Sequence, residues 1–129
     1  MIISERAEQA VVLKNSRCNC CQAVMAALLD QTGLNEEQAR TLASGFGAGM
    51  GSMEGSCGAL VGAVMAAGLH LQGSGVPRMA RQLSLAFKDA CGAVTCKDLK
   101  GVGTGRVLCS CDDCVRNAVM TYGKVMDLK

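Results

Sequence analysis

Residues 45–71 read GFGAGMGSMEGSCGALVGAVMAAGLHL. The first half is a glycine run, Gly45, Gly47, Gly49, Gly51 and Gly55, interleaved with Phe46, Met50 and Met53. The second half, Cys57 to about Leu71, predicts a helix that is apolar all round, so the buried central helix of an all-α bundle. Gly58 and Gly62 stand four apart and let a neighbouring helix approach closely. The same close-packing face suits a homodimer interface. The stretch is far shorter than the ~20 apolar residues a membrane span needs, and no membrane role is expected.

Working outward, helix-period stretches continue on both sides. Ser4 and Glu5 open a short first helix with Ala7, Ala10 and Val11 on one face. A second helix runs from about Asn19 to Gln31, with Cys20, Val24, Ala27 and Leu28 on one stripe, and Gly33 ends it. Asn35 caps a third, with Gln38 three residues on and acidic residues in the first turn. Beyond the apolar fourth helix, Gly73, Ser74 and Gly75 form a break. Pro77 then takes the first position of a fifth helix striped by Ala80, Leu83, Phe87 and Ala90. A loop from Cys91 to Cys109 leads to a last helix with Cys111, Val115, Ala118, Tyr122 and Met126 on one face. There is a single Pro, no repeat and no linker. The expectation is one domain over residues 1–129, an all-α bundle of about six helices.

Composition excludes several classes. At 129 residues and 50% hydrophobic, the chain can bury a core and is not a disordered tail. A formal charge of +2, with one Tyr, two Phe and no Trp, argues against nucleic acid. Met1 to Ala10 lacks the apolar run of a secretory signal, and a cytoplasmic location is expected. In that reducing compartment nine cysteines do not read as a permanent disulfide framework. Metal ligation or thiol redox chemistry is favoured.

The cysteines fall in two end clusters, Cys18, Cys20, Cys21 and Cys109, Cys111, Cys114, with Cys57, Cys91 and Cys96 between. Thiolates at such short spacings reach one soft metal or one iron–sulfur core. His70, the only histidine, lies in the apolar helix away from any Cys-x-x-Cys pair, so an all-cysteine site is expected. Cys57 meets the start of the fourth helix, where unpaired amides and the positive dipole end favour thiolate. Cys111 and Cys114 have the local geometry of a redox dithiol or of half a metal site. Cys18, Cys21, Cys109 and Cys114 read as extra ligands or as incidentally exposed residues, and Cys91 as a packing residue. The alternating glycines lack a Gly-Lys-Ser/Thr ending and a preceding strand, which argues against nucleotide binding. The eight Met read as core filler rather than a copper box.

Four ordered blocks carry a resemblance. Asn19-Cys20-Cys21-Gln22-Ala23-Val24 looks like a first block usually written Asn-Cys-Ala-Gln-Ala-Val. Cys57-Gly58-Ala59-Leu60-Val61-Gly62, Cys96-Lys97-Asp98-Leu99 and Cys111 to Ala118 are similar to the three that follow it. From Arg6 to Val119 the chain resembles the redox-active C_GCAxxG_C_C family, which is related to the non-haem domain of split-Soret cytochromes. The resemblance implies a helical domain whose shared cysteines, here Cys20, Cys57, Cys96 and Cys111, converge on one site. Cys21 departs from the family's usual Ala, and Cys18, Cys91, Cys109 and Cys114 are additional. Three readings stay open: an iron–sulfur cluster on the four shared cysteines, serving a redox partner protein; a metal-free thiol/disulfide protein with Cys57 as attacking thiolate; and a zinc- or copper-binding module.

Overall fold

The structure, a computed structural model, describes every residue from Met1 to Lys129. It is all-α, with α1 (Ile3–Lys14), α2 (Cys20–Ala27), α3 (Leu29–Thr32), α4 (Glu36–Ala43), α5 (Gly58–Leu71), α6 (Val76–Cys91), α7 (Cys96–Lys100) and α8 (Cys111–Met126). A π turn spans Gly49–Met53 inside the glycine run. The only strand-like feature is an antiparallel bridge between Ser56 and Thr95. Helix α5 packs against α2, α3, α6 and α8, while α1 lies across α2 and α8. No helix is long and apolar enough to cross a membrane.

Local chemistry accounts for the helix starts. Asn19 and Asn35 cap α2 and α4, accepting the Gln22 and Gln38 amides at 2.8 Å, and each Gln side chain returns the bond. Ser110 accepts the Asp113 amide at the start of α8. Gly33 ends α3 and Gly92 ends α6, both in left-handed conformation.

Several boundaries differ from the sequence expectation. The second helix is two pieces: Leu28, at φ −109° and ψ 20°, breaks the ladder between α2 and α3. Pro77 is the second residue of α6, not the first. The loop from Cys91 to Cys109 contains α7. Helix α5 is central but not wholly buried, because Val61, Val64, Met65 and Leu69 are half-buried and His70 is exposed on its last turn. In α6 the inner stripe closes on buried Cys91, while Ala90 faces solvent.

Glycine decides how closely α2 and α5 approach. A Cβ on Gly62 would meet the Cys21 carbonyl oxygen at 3.0 Å and Val24 at 3.1 Å. A Cβ on Gly58 would meet the Phe46 carbonyl oxygen at 2.4 Å and the Cys20 sulfur at 2.6 Å. The expected neighbour of these two glycines is therefore α2, joined at Gly58 by the loop before α5.

Two outcomes test this packing. Gly58→Ala is expected to cost about 1–3 kcal/mol through overpacking. Gly45→Ala, where an added Cβ meets nothing within 4 Å, should leave stability unchanged or slightly raised. Thermal unfolding of the two variants beside the parent reads the difference. The Arg6 guanidinium donates to Asp30 Oδ2 at 2.9 Å and, mainly through hydrogen bonding, holds that carboxyl below its usual range. A depressed carboxyl stabilises above its unfolded pKa of about 3.9 and loses that contribution as pH falls through the folded value. Asp30→Asn should therefore flatten the acid side of the stability–pH curve.

Candidate functional site

The cysteines at the helix starts define the site. Cys20 is the first residue of α2, Cys96 of α7 and Cys111 of α8, and Cys57 caps α5. Helix N-termini leave amide N–H groups without intrahelical partners and carry positive partial charge, strongest at the longer α5 and α8. All four starts open on one pocket of about 220 Å³. Cys20, Cys57, Cys96 and Cys111 line it together with Cys114, Lys14, Lys100, Asn19, Ala48 and Gly58.

Specific backbone contacts bring these segments together. The Cys57 amide donates to the Val94 carbonyl at 2.7 Å, and the Cys96 amide to Gly55 at 3.0 Å. With the Ser56–Thr95 bridge, this pairs the strands of chain leading into α5 and α7, so Cys57 and Cys96 emerge side by side. Gly49 packs on Cys96, where an added Cβ would lie 2.5 Å from the Cys96 Cβ. Gly47 packs on the Asn19 side chain, which also donates to the Ser44 carbonyl at 3.2 Å. The glycine run is thus wrapped over the starts of α2 and α7. Its positive φ values extend to Ala48, Met50 and Met53, which other L residues adopt at a cost.

A second sulfur group adjoins the pocket. The sulfurs of Cys91, Cys109 and Cys114 all lie within 4.8 Å of one another, all three residues are buried, and the group could hold a metal ion. Cys114 belongs to both sets, because it also lines the pocket, with Cys57. Lys100 Nζ donates to Cys114 Sγ at 3.3 Å and to the Cys109 carbonyl at 3.1 Å.

Burial outweighs the helix ends for these thiols. Cys57 is pushed up by its hydrogen bond with Cys114 and by burial, against the opposing amides of Ala59 and Leu60. The amides expected to favour thiolate at Cys57 are present, but the net direction is upward. Burial likewise raises Cys20, against the Ala48 amide, and Cys96, against the Lys100 charge. It raises Cys109 to about 11 and Cys21 to about 12.

The remaining sequence expectations sort as follows. Cys21, Cys109 and Cys114 are buried, so incidental exposure is wrong for all three: Cys21 packs against α5, the Leu99 carbonyl holds Cys109 against α7, and the last helix turns Cys114 inward while leaving Cys111 at the surface. Cys21 is fully buried in the core, against α5. Cys18 is half-buried in a separate groove with Gln9, Arg17 and Glu36. Cys91 packs in the core as expected, and it also joins the sulfur triad. His70 is remote from the pocket, and no Met lines it. Lys14 and Lys100 were not singled out from the sequence. Lys100 had a signal, one helical turn after Cys96; Lys14 had none, since only the tertiary fold brings it to α8, where it pairs with Asp112 at 3.2 Å.

No curated protein and no solved structure matches the chain. A family described as "Putative redox-active protein (C_GCAxxG_C_C)" matches residues 18–125, a span that includes every helix start on the pocket. The chain belongs to this C_GCAxxG_C_C family.

Proposed function

We propose that the pocket binds an iron–sulfur cluster through Cys20, Cys57, Cys96 and Cys111, and that the protein exchanges or senses electrons with a redox partner protein. The observation that carries this reading is the convergence of four cysteine-led helix starts on one pocket. The donor set fits the group: the lining offers five thiols and neither a carboxylate nor an imidazole. Iron–sulfur clusters take four such thiolates.

When bound, such a cluster supplies reversible one-electron chemistry. The chain's own groups set its environment. Amides of the glycine run and of the start of α5 point at sulfur, Ala48 at Cys20 and Ala59 and Leu60 at Cys57, and hydrogen bonds of that kind tune a potential. Lys100 offsets part of the negative charge of the thiolates, while Lys14 on the pocket rim is already paired with Asp112. Cys111 is exposed, so one edge of the site lies where a partner can dock. Cys57, Cys96 and Gly58 are buried and keep the opposite edge from water.

A second reading has its own observation, the contact between the Cys57 and Cys114 thiols. In a metal-free protein these two could close a disulfide, losing two protons and passing two electrons to an oxidised dithiol partner, whose disulfide is thereby reduced.

Anaerobic purification followed by an absorption spectrum and metal analysis separates the two. The cluster reading expects brown protein with iron and acid-labile sulfide, bleached by air. Cys20→Ser and Cys96→Ser should each lose nearly all the iron, and Cys18→Ser should keep it. A full complement of iron in both pocket variants would falsify the ligand assignment. The dithiol reading expects colourless protein whose thiol count falls by two on mild oxidation, with Cys57 and Cys114 recovered in one disulfide-linked peptide. Closure of any other pair would sink it.

A further inference from the structure

We propose that Cys91, Cys109 and Cys114 form a second metal site, adjoining the pocket through Cys114, that takes a single zinc ion. The proposal goes beyond the cluster reading and does not need it, because Cys91 and Cys109 do not line the pocket and Cys114 is not among the four proposed cluster ligands.

The geometry suits one ion. Three sulfurs all within 4.8 Å of one another can close on a centre at the ~2.3 Å zinc–sulfur distance with small side-chain movements. They come from three separate segments. Cys91 ends α6, and Cys114 lies one turn into α8. Cys109 is laid against α7 by the Leu108 and Cys109 amides, which donate to the Leu99 carbonyl at 3.0 and 3.3 Å. An ion here ties those segments together without displacing any helix.

Charge selects the ion. The Lys100 ammonium is half-buried, and its hydrogen-bond partners are the Cys114 sulfur and the Cys109 carbonyl, with no carboxylate in an ion pair. A half-buried ammonium whose partners are a sulfur and a carbonyl is partly desolvated and favours an anion beside it. Three thiolates around a divalent ion carry one net negative charge, which Lys100 cancels. Around a monovalent ion the same thiolates carry two, leaving one uncompensated. Zinc is a soft-tolerant divalent ion of this kind, and three protein ligands leave it one open position. Binding replaces three thiol protons, which pass to solvent. Asn117 Nδ2 already sits 3.5 Å from the Cys91 sulfur and can donate to that thiolate.

The test uses the reduced full-length chain under anaerobic conditions, in parent form and as a Cys20→Ser, Cys96→Ser double variant that removes pocket ligands. Both should take up one zinc outside any iron, and cobalt(II) in its place should show thiolate charge-transfer absorption. Mass-spectrometric alkylation mapping should find zinc slowing modification of Cys91, Cys109 and Cys114 together while Cys18 reacts at an unchanged rate. Lys100→Met should weaken zinc binding by about 10–100-fold, the usual cost of losing a group that supports metal ligands. Cys91→Ala should abolish the cobalt–thiolate band. If that variant fails to fold, the mapping on the parent chain still decides. Zinc uptake that leaves the triad unprotected, no zinc uptake, or equal affinity in Lys100→Met overturns the proposal. Loss of iron in the double variant with zinc retained separates this site from the pocket.

Discussion

The Cys20 sulfur can reach the pocket only because residue 58 has no side chain. A Cβ there would stand 2.6 Å from that sulfur and 2.4 Å from the Phe46 carbonyl oxygen, closer than any packed pair tolerates. One missing methyl thus lets three pieces of chain meet: the start of α2, the start of α5 and the beginning of the segment after α4. Gly62 repeats the arrangement one turn later against the Cys21 carbonyl, so the two helices touch along a line rather than at a point. With α2 fixed on α5 the glycine run has a surface to fold over, and Gly49 can pack against Cys96. The site is a consequence of close packing before it is a matter of sulfur chemistry.

That packing sets two opposing fields on the thiols. Helix starts and Lys100 favour the charged form, and burial favours the neutral one. In the protein alone burial wins at Cys20 and Cys96, and at Cys57 the interaction with Cys114 raises the thiol first and burial adds to it. A helix end is worth on the order of 1 kcal/mol to a nearby charge. Taking an ion out of water costs several kcal/mol, so a helix start alone does not hold a buried thiolate. Positive charge delivered among several sulfurs at once reverses the balance, which is why soft metals and cysteines are found together in dry sites.

Much of this was legible in the sequence, for reasons that differ by element. The capping box at Asn35 and the glycine stop at Gly33 are local, so a short window contains all their physics. The break at Leu28 is not written in its own residue type; beyond it α3 packs on α5. Helix α7 was read as loop because five residues carry too little periodicity to show, and its position depends on pairing with the chain before α5. Among the cysteines, the four family positions were readable because ordered blocks name them. The role of Cys114 was not. Cys111 and Cys114 are three apart on one helix, and only the register of α8 against the core says which of them turns inward.

That register has a chemical consequence, since it gives Cys114 contacts on both sides. Toward the pocket it hydrogen-bonds Cys57, and away from it the sulfur lies within 4.8 Å of Cys91 and Cys109. A thiol in that position cannot serve both neighbours fully: drawing it toward Cys91 and Cys109 weakens its bond to Cys57, and the reverse holds. Lys100 sits on the same sulfur and follows whichever arrangement is adopted. Whatever occupies one sulfur group therefore alters the hydrogen bonding and charge felt by the other, through a single side chain and without any helix having to move.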